Sequence, residues 1–206
     1  MTTDQLTRER SRRKRRAILA SGLVLGVGAV VTLAAWNDSV WGDATFGTGD
    51  QSWNMQGSVD GGTSWHEFQI QADAGSMQFD LGAIDPGSLT PGDSVHALFG
   101  LRETEGHLGS TVTVASPVVD GANTLAQALD VTVYDHGSTN PGACTGTGGT
   151  QIVTGKLATV GASTPFTMAA GADNWLCYTV TLPAGTNPSG LAQTVDAAWE
   201  MQATSD

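Results

Sequence analysis

Large apolar residues alternate with polar ones along most of the chain after residue 52, and a period of two predicts strands. Trp53, Met55 and Val59 recur at even spacing and run into Asp60-Gly61-Gly62, which predicts a first strand ending in a turn. Phe68, Ile70 and Ala72 alternate with Gln69 and Gln71, and Met77, Phe79 and Leu81 alternate with Gln78 and Asp80. Both segments predict half-buried strands. Ile84 to Asp93 holds two Pro-Gly pairs, hence successive turns. Val95, Ala97, Phe99 and Leu101 then alternate against His96 and Arg102. Further strands are predicted at Val112 and Val114, at Leu129, Val131 and Val133, and at Tyr178, Val180 and Leu182. The last runs Val195, Ala197, Trp199, Met201, Ala203. A short helix is predicted over Ala122 to Leu129, and the Gly, Thr and Asn residues between His136 and Thr150 predict a loop. About eight short strands separated by turns predict an all-β fold, a two-sheet antiparallel sandwich of jelly-roll or immunoglobulin-like topology. Periodicity does not choose between the two.

The pattern before residue 36 is of another kind. Residues 1–16 form a charged region, and 17–35 form an uncharged run with three glycines that ends in Ala34-Ala35. A basic start, an apolar stretch and small residues at its end are the parts of an export signal. The organisation predicted is therefore a signal peptide over 1–35, an N-terminal segment over 36–46, and a sandwich domain over 47–206. An uncut anchor that displays the domain outside the cell is the alternative. Arg15-Arg16 also provides the pair that twin-arginine signals use.

Charge follows the same division. Seven of the nine Lys and Arg residues precede residue 17, and only Arg102 and Lys156 follow. A chain cut after Ala35 keeps two bases against 18 of the 20 acidic residues, a net charge of −16. That disfavours nucleic acid and anionic membrane as partners of the mature domain, because both need Lys and Arg to neutralise phosphate. Membrane contact is expected only through the uncut signal.

Cys144 and Cys177 are the only cysteines. In an exported chain an even count favours a disulfide, which here closes a loop of about 34 residues and is worth roughly 3–4 kcal/mol in the chain-entropy model. Two unpaired thiols are the alternative. Catalytic patterns are poor. His66-Glu67 opens like a zinc-protease motif, but Ile70 stands where the second histidine belongs. His66, His96, His107 and His136 have no paired spacing, and Ser110, Ser116 and Ser163 lack a nucleophile elbow. No catalytic residue and no metal ligand set is assigned. Calcium is the one cofactor left open, since Asp60, Asp85, Asp93 and Asp120 lie in predicted turns, although none has EF-hand spacing.

Three stretches together resemble the TasA and camelysin group of exported proteins, which carry the alternate signal peptide processed by SipW-type signal peptidases. They are AAWNDSVWGDATFGTG (Ala34 to Gly49), LTPGDSVHALFGLRE (Leu89 to Glu103) and the closing AAWEMQAT (Ala197 to Thr204). The Gly, Ala and Asp bias with so little Lys resembles actinobacterial members. The resemblance implies cleavage between Ala35 and Trp36 by a SipW-type peptidase, a jelly-roll domain, and a place outside the cell. For the TasA branch it also implies matrix or biofilm fibres in which the N-terminal segment of one subunit completes the sheet of the next. Camelysin is classed among metallopeptidases, but no ligand set is recognisable here. The chain departs from the fibre protein in having two cysteines and no lysine-rich insertions.

Physically, Trp36, Val40, Trp41 and Phe46, with Asn37 and Asp38 between them, form a new chain end rich in large apolar groups. Such an end can fold back as an edge strand or add to a neighbour's sheet. The function expected is a secreted structural protein of the envelope or matrix. The alternative is a monomeric module binding carbohydrate or protein through loops, with Trp65 and Trp175 as candidate contacts.

Overall fold

The computed structural model describes residues 53–79, 84–120 and 123–206. The chain divides into two units, Met1–Gly47 and Thr48–Asp206, and every described residue belongs to the second. The signal segment, its cleavage site and residues 36–46 lie outside the described residues.

Among the described residues, ten strands and one short α-helix follow in order: β1 Met55–Ser58, β2 Ser94–Glu103, β3 Ser110–Val114, β4 Val118–Asp120, α1 Thr124–Ala128, β5 Asp130–Asp135, β6 Thr150–Lys156, β7 Phe166–Met168, β8 Asp173–Thr181, β9 Asp196–Ala198 and β10 Met201–Ser205. One sheet has five strands in the order β1-β2-β8-β5-β6, and the facing layer is made of β10-β3-β7 and β4-β9. All pairings are antiparallel, and β2 with β8, β3 with β7 and β4 with β9 join strands distant in sequence, in a jelly-roll-like wrapping. The fold is an all-β sandwich.

Alternation places the core. Ala97, Phe99 and Leu101 of β2 and Leu176 and Tyr178 of β8 point inward and meet Val112 and Val114 of β3 and Phe166 and Met168 of β7. A second cluster around Val95, Val131, Val180 and Leu182 is closed by Val119, Leu125, Val195 and Ala197. In β8 the residues Asn174 to Tyr178 are all buried, because loops cover the outer face of this central strand as well.

Two predicted strands fail. Phe68, Ile70 and Ala72 do not form a strand: Gln71–Asp73 is a turn of 3-10 helix, and Phe68 takes a φ of +42°, which breaks the extended chain. Met77 and Phe79 lie in irregular chain, half-buried against the core rather than in a ladder, while Asp80 and Leu81 lie outside the described residues. The predicted last strand is two. β9 pairs with β4 and β10 with β3, and the chain changes partner at Trp199 and Glu200, where Trp199 packs on the Tyr178 ring. Leu129 caps α1 instead of opening β5. Strands β4, β6 and β7 carry no strong alternation and are additions to the expected set.

Candidate functional site

Among the described residues, the sandwich is open along one flank. From His66 to Phe79 the chain forms a strap whose only backbone link to the sheet, among the described residues, is the reciprocal pair between His66 and Gly57. Beyond it, the strap's backbone bonds are local, Asp73 N to Ile70 O and Ala74 N to Gln71 O, among the described residues. Side chains hold it instead. The Phe68 ring lies where a Cβ on Gly57 or Gly75 would stand within 3 Å of it, so only glycine at both places allows the ring to seat. A bulky residue at positive φ is uncommon and strained by about 1–3 kcal/mol, and such strain collects at ligand clamps and switch segments.

Between this strap and β1 on one side, and β9 and β10 on the other, runs a groove of about 840 Å³. Phe99 and Leu101 of the core form its floor, and Trp199 and Met201 its far wall. The two exposed large hydrophobic residues among those described, Ile70 at 59% and Val118 at 57% exposure, both sit on its lips. Its rim carries three carboxylates, Glu67, Asp196 and Glu200. Gln56 Nε2 and Asn54 Nδ2 donate to Glu67 Oε1 at 3.0 and 3.1 Å, and these bonds, Gln56 first, hold the carboxyl below its ordinary range. Gln202 Nε2 donates to Glu200 at 3.0 Å. A second apolar cleft of about 1000 Å³ lies beyond Phe79 and Trp199, lined by Leu89, Leu125, Leu182 and Leu191.

The outer face of the five-stranded sheet is covered over its central strand β8, while β6 at the edge stays exposed. Cys144 is bonded to Cys177 of β8, so the loop from 136 to 149 is tied across that face. Asn140 Nδ2 donates to Gly61 O at 3.0 Å, joining this loop to the turn after β1. Arg102 donates from Nε and a terminal nitrogen to both oxygens of Asp173, at 2.6 and 2.9 Å, and its guanidinium lies 3.9 Å from the centre of the Trp65 ring. Trp65 meets Trp175 edge to face at 5.8 Å. Of the two Trp named as contacts, Trp175 is only 3% exposed and Trp65 is partly covered by Arg102.

The residues picked out for chemistry are scattered. Asp60 accepts from Ser58 Oγ, Ser64 N and Ser64 Oγ, and these bonds, Ser64 first, bring its carboxyl down to about 2. Asp85 accepts from Gly87 N, and Asp93 from Thr90 N and Oγ1. These aspartates brace their own turns. No group of three His, Cys, Asp or Glu is placed to hold a metal ion among the described residues. His66 is exposed beside Phe68 and Ser64 in extended chain, not on a helix. His96 Nδ1 lies 3.0 Å from Thr179 Oγ1 across the sheet. Ser110 is buried and accepts from Trp53 Nε1, and Ser163 Oγ accepts from Val114 N. The disulfide is the predicted pair that the structure joins. Trp36, Asn37, Asp38, Val40, Trp41 and Phe46 lie outside the described residues.

Sequence reasoning missed two features. The groove is one: its signal was alternation in Phe68 to Phe79 that finds no neighbouring strand. Glu103 is the other. It ends β2 at 1% exposure, and its carboxylate accepts from Glu105 N, Gly106 N and Gly171 N at 2.9, 2.8 and 2.6 Å. Burial pushes this carboxyl up, but the backbone N–H groups outweigh it and leave the group below its ordinary value.

The described unit is thus an all-β sandwich in which, among the described residues, a tied loop covers part of one face and one flank is open. Compared with protein-family models and with curated proteins, the chain matches none.

Proposed function

We propose that the protein is an exported, acidic structural protein of the cell envelope or extracellular matrix, in which the segment Trp36 to Phe46 of one copy adds to a sheet edge of the next. In this reading it catalyses no reaction, and a SipW-type signal peptidase frees the new chain end after Ala35. The observation that carries the reading is the set of strands paired on one side only among the described residues: β7, β10, β4 and β9 in one layer and β1 and β6 in the other. An edge strand presents a row of backbone donors and acceptors to an incoming extended segment. A contact of this head-to-tail kind does not close on itself and so builds filaments.

The test is to recover the protein from outside its cells, sequence its N-terminus, and image the same sample by electron microscopy. A start at Trp36 with filaments, lost on deleting residues 36–46, is the expected result. Monomers starting at Trp36 would overturn the assembly and favour a loop-binding module. An uncut chain in the membrane would overturn export of a free domain.

A further inference from the structure

We propose that the open groove is a docking site for an extended segment of a different protein, one that alternates large apolar side chains with Lys or Arg. This goes beyond the self-assembly above and assigns the groove a partner of opposite charge.

Four observations converge on the groove. Its floor and far wall are core residues, Phe99, Leu101, Trp199 and Met201, so apolar side chains entering it meet a surface already packed from below. Ile70 and Val118 expose apolar side chains at its lips instead of turning inward. Most of the backbone of the strap from Glu67 to Phe79 has no ladder partner among the described residues, and Phe68 is held at a strained φ in the same wall. An extended segment laid along the groove can bond to strap backbone groups that have no ladder partner among the described residues, as main-chain bonds contribute affinity in peptide recognition by strand addition.

Charge decides which segment. Glu67, Asp196 and Glu200 ring the groove. The two bases of the described unit lie elsewhere and are already paired: Arg102 with Asp173 at 2.6 Å, and Lys156 with Asp130 at 2.7 Å. In an extended segment alternate side chains point to opposite faces. One set fills the apolar floor, and the set between them meets the rim and is favoured when cationic. The chain's own segment 36–46 carries Asp38 and Asp43 and no base. It suits a bare sheet edge better than this acidic rim.

The test uses the full chain and a dye-labelled heptapeptide of alternating lysine and leucine, read by fluorescence polarisation. The expected result is saturable binding that weakens about tenfold in the triple variant Glu67→Gln, Asp196→Asn, Glu200→Gln, as for rim charges that steer a partner. Ile70→Ser with Val118→Thr should weaken it comparably. A control removing three carboxylates that do not line the groove, Asp85→Asn, Asp93→Asn and Asp206→Asn, should leave it within about twofold, since exposed charges away from the peptide are largely screened. Thermal melts confirm that each variant folds. Equal loss in the control, equal binding of a glutamate-leucine peptide, or no saturable binding would overturn the proposal. Tighter binding of a peptide spanning residues 36–46 would overturn the choice of partner and give the groove to a second copy. Deleting residues 36–46 should abolish filaments and leave heptapeptide binding intact, so the two readings fail separately.

Discussion

The outer face of the five-stranded sheet and the open flank both consist of irregular chain laid over strands, yet one is locked and the other is not. Over the face, the loop from 136 to 149 is tied by the bond to Cys177, by Asn140 to Gly61 O, and by backbone bonds His136 N to Trp175 O and Trp175 N to Gly137 O. Over the flank, the strap beyond His66 makes only local backbone bonds among the described residues and rests on Phe68, Met77 and Phe79. What differs is whether backbone groups and covalent bonds join the cover to the sheet, because side-chain packing without a ladder opens at low free energy. Amide hydrogen exchange should follow this division, slow in β2 and β8 and fast over residues 67–79.

The largest way to break the contrast is to unlock the closed face. Replacing Cys144 and Cys177 together by serine removes a cross-link with a sequence separation of 33. The expected loss is about 3–4 kcal/mol, or a melting temperature lower by roughly 10 °C. Calorimetry checks it, and exchange in residues 136–149 should rise to that of the strap. An unchanged melt would mean that the loop is held by its hydrogen bonds alone.

Glu103 comes next. Glu103→Ala strands three backbone N–H groups and should lower stability by about 3 kcal/mol. Because the folded carboxyl lies below its ordinary value of 4.5, the ionised form stabilises the fold above that pH, and the contribution is lost as pH falls through the folded value. Stability below pH 4.5 should therefore fall more steeply in the native chain than in Glu103→Gln, as urea titrations across that range would measure.

The closed side of the molecule was largely legible in the sequence, and the flank was not. Alternation from Val95 to Leu101 and from Tyr178 to Leu182 specifies strands because each has a neighbour on both sides, so that pattern and pairing agree. The two cysteines specify their own link. Phe68, Ile70 and Ala72 alternate just as well, but alternation records which side chains are apolar, not whether a neighbouring strand exists to pair with. The division of the last strand was hidden for a related reason. Trp199 continues the alternation of Ala197 and Met201, while the chain passes there from β4 to β3. Glu103 gave no sign in sequence, since its partners Gly106 and Gly171 come together only through the fold.

A smaller prediction concerns the strain in the flank. Phe68→Ala and Phe68→Gly remove the same ring, but only glycine accepts a φ of +42° without penalty. The glycine variant should be more stable than the alanine variant by about 1 kcal/mol in urea unfolding, against the ordinary ranking of the two residues in regular structure. The reverse order would mean that the strap relaxes once the ring is gone, so that the ring itself imposes the strained backbone.

The smallest effect on stability falls at Ile70 and Val118. Both side chains are more than half exposed, so Ile70→Ser and Val118→Thr should each shift unfolding by no more than about 0.5 kcal/mol. A core residue cut back in the same way loses several times that. If chemical denaturation finds either substitution as costly as a core change, the lip is part of the folded interior and the flank is closed in solution. If both are neutral, the protein keeps two large apolar side chains in water beside a strained strap with no gain to its own stability. The reason for those residues must then lie in what the groove holds.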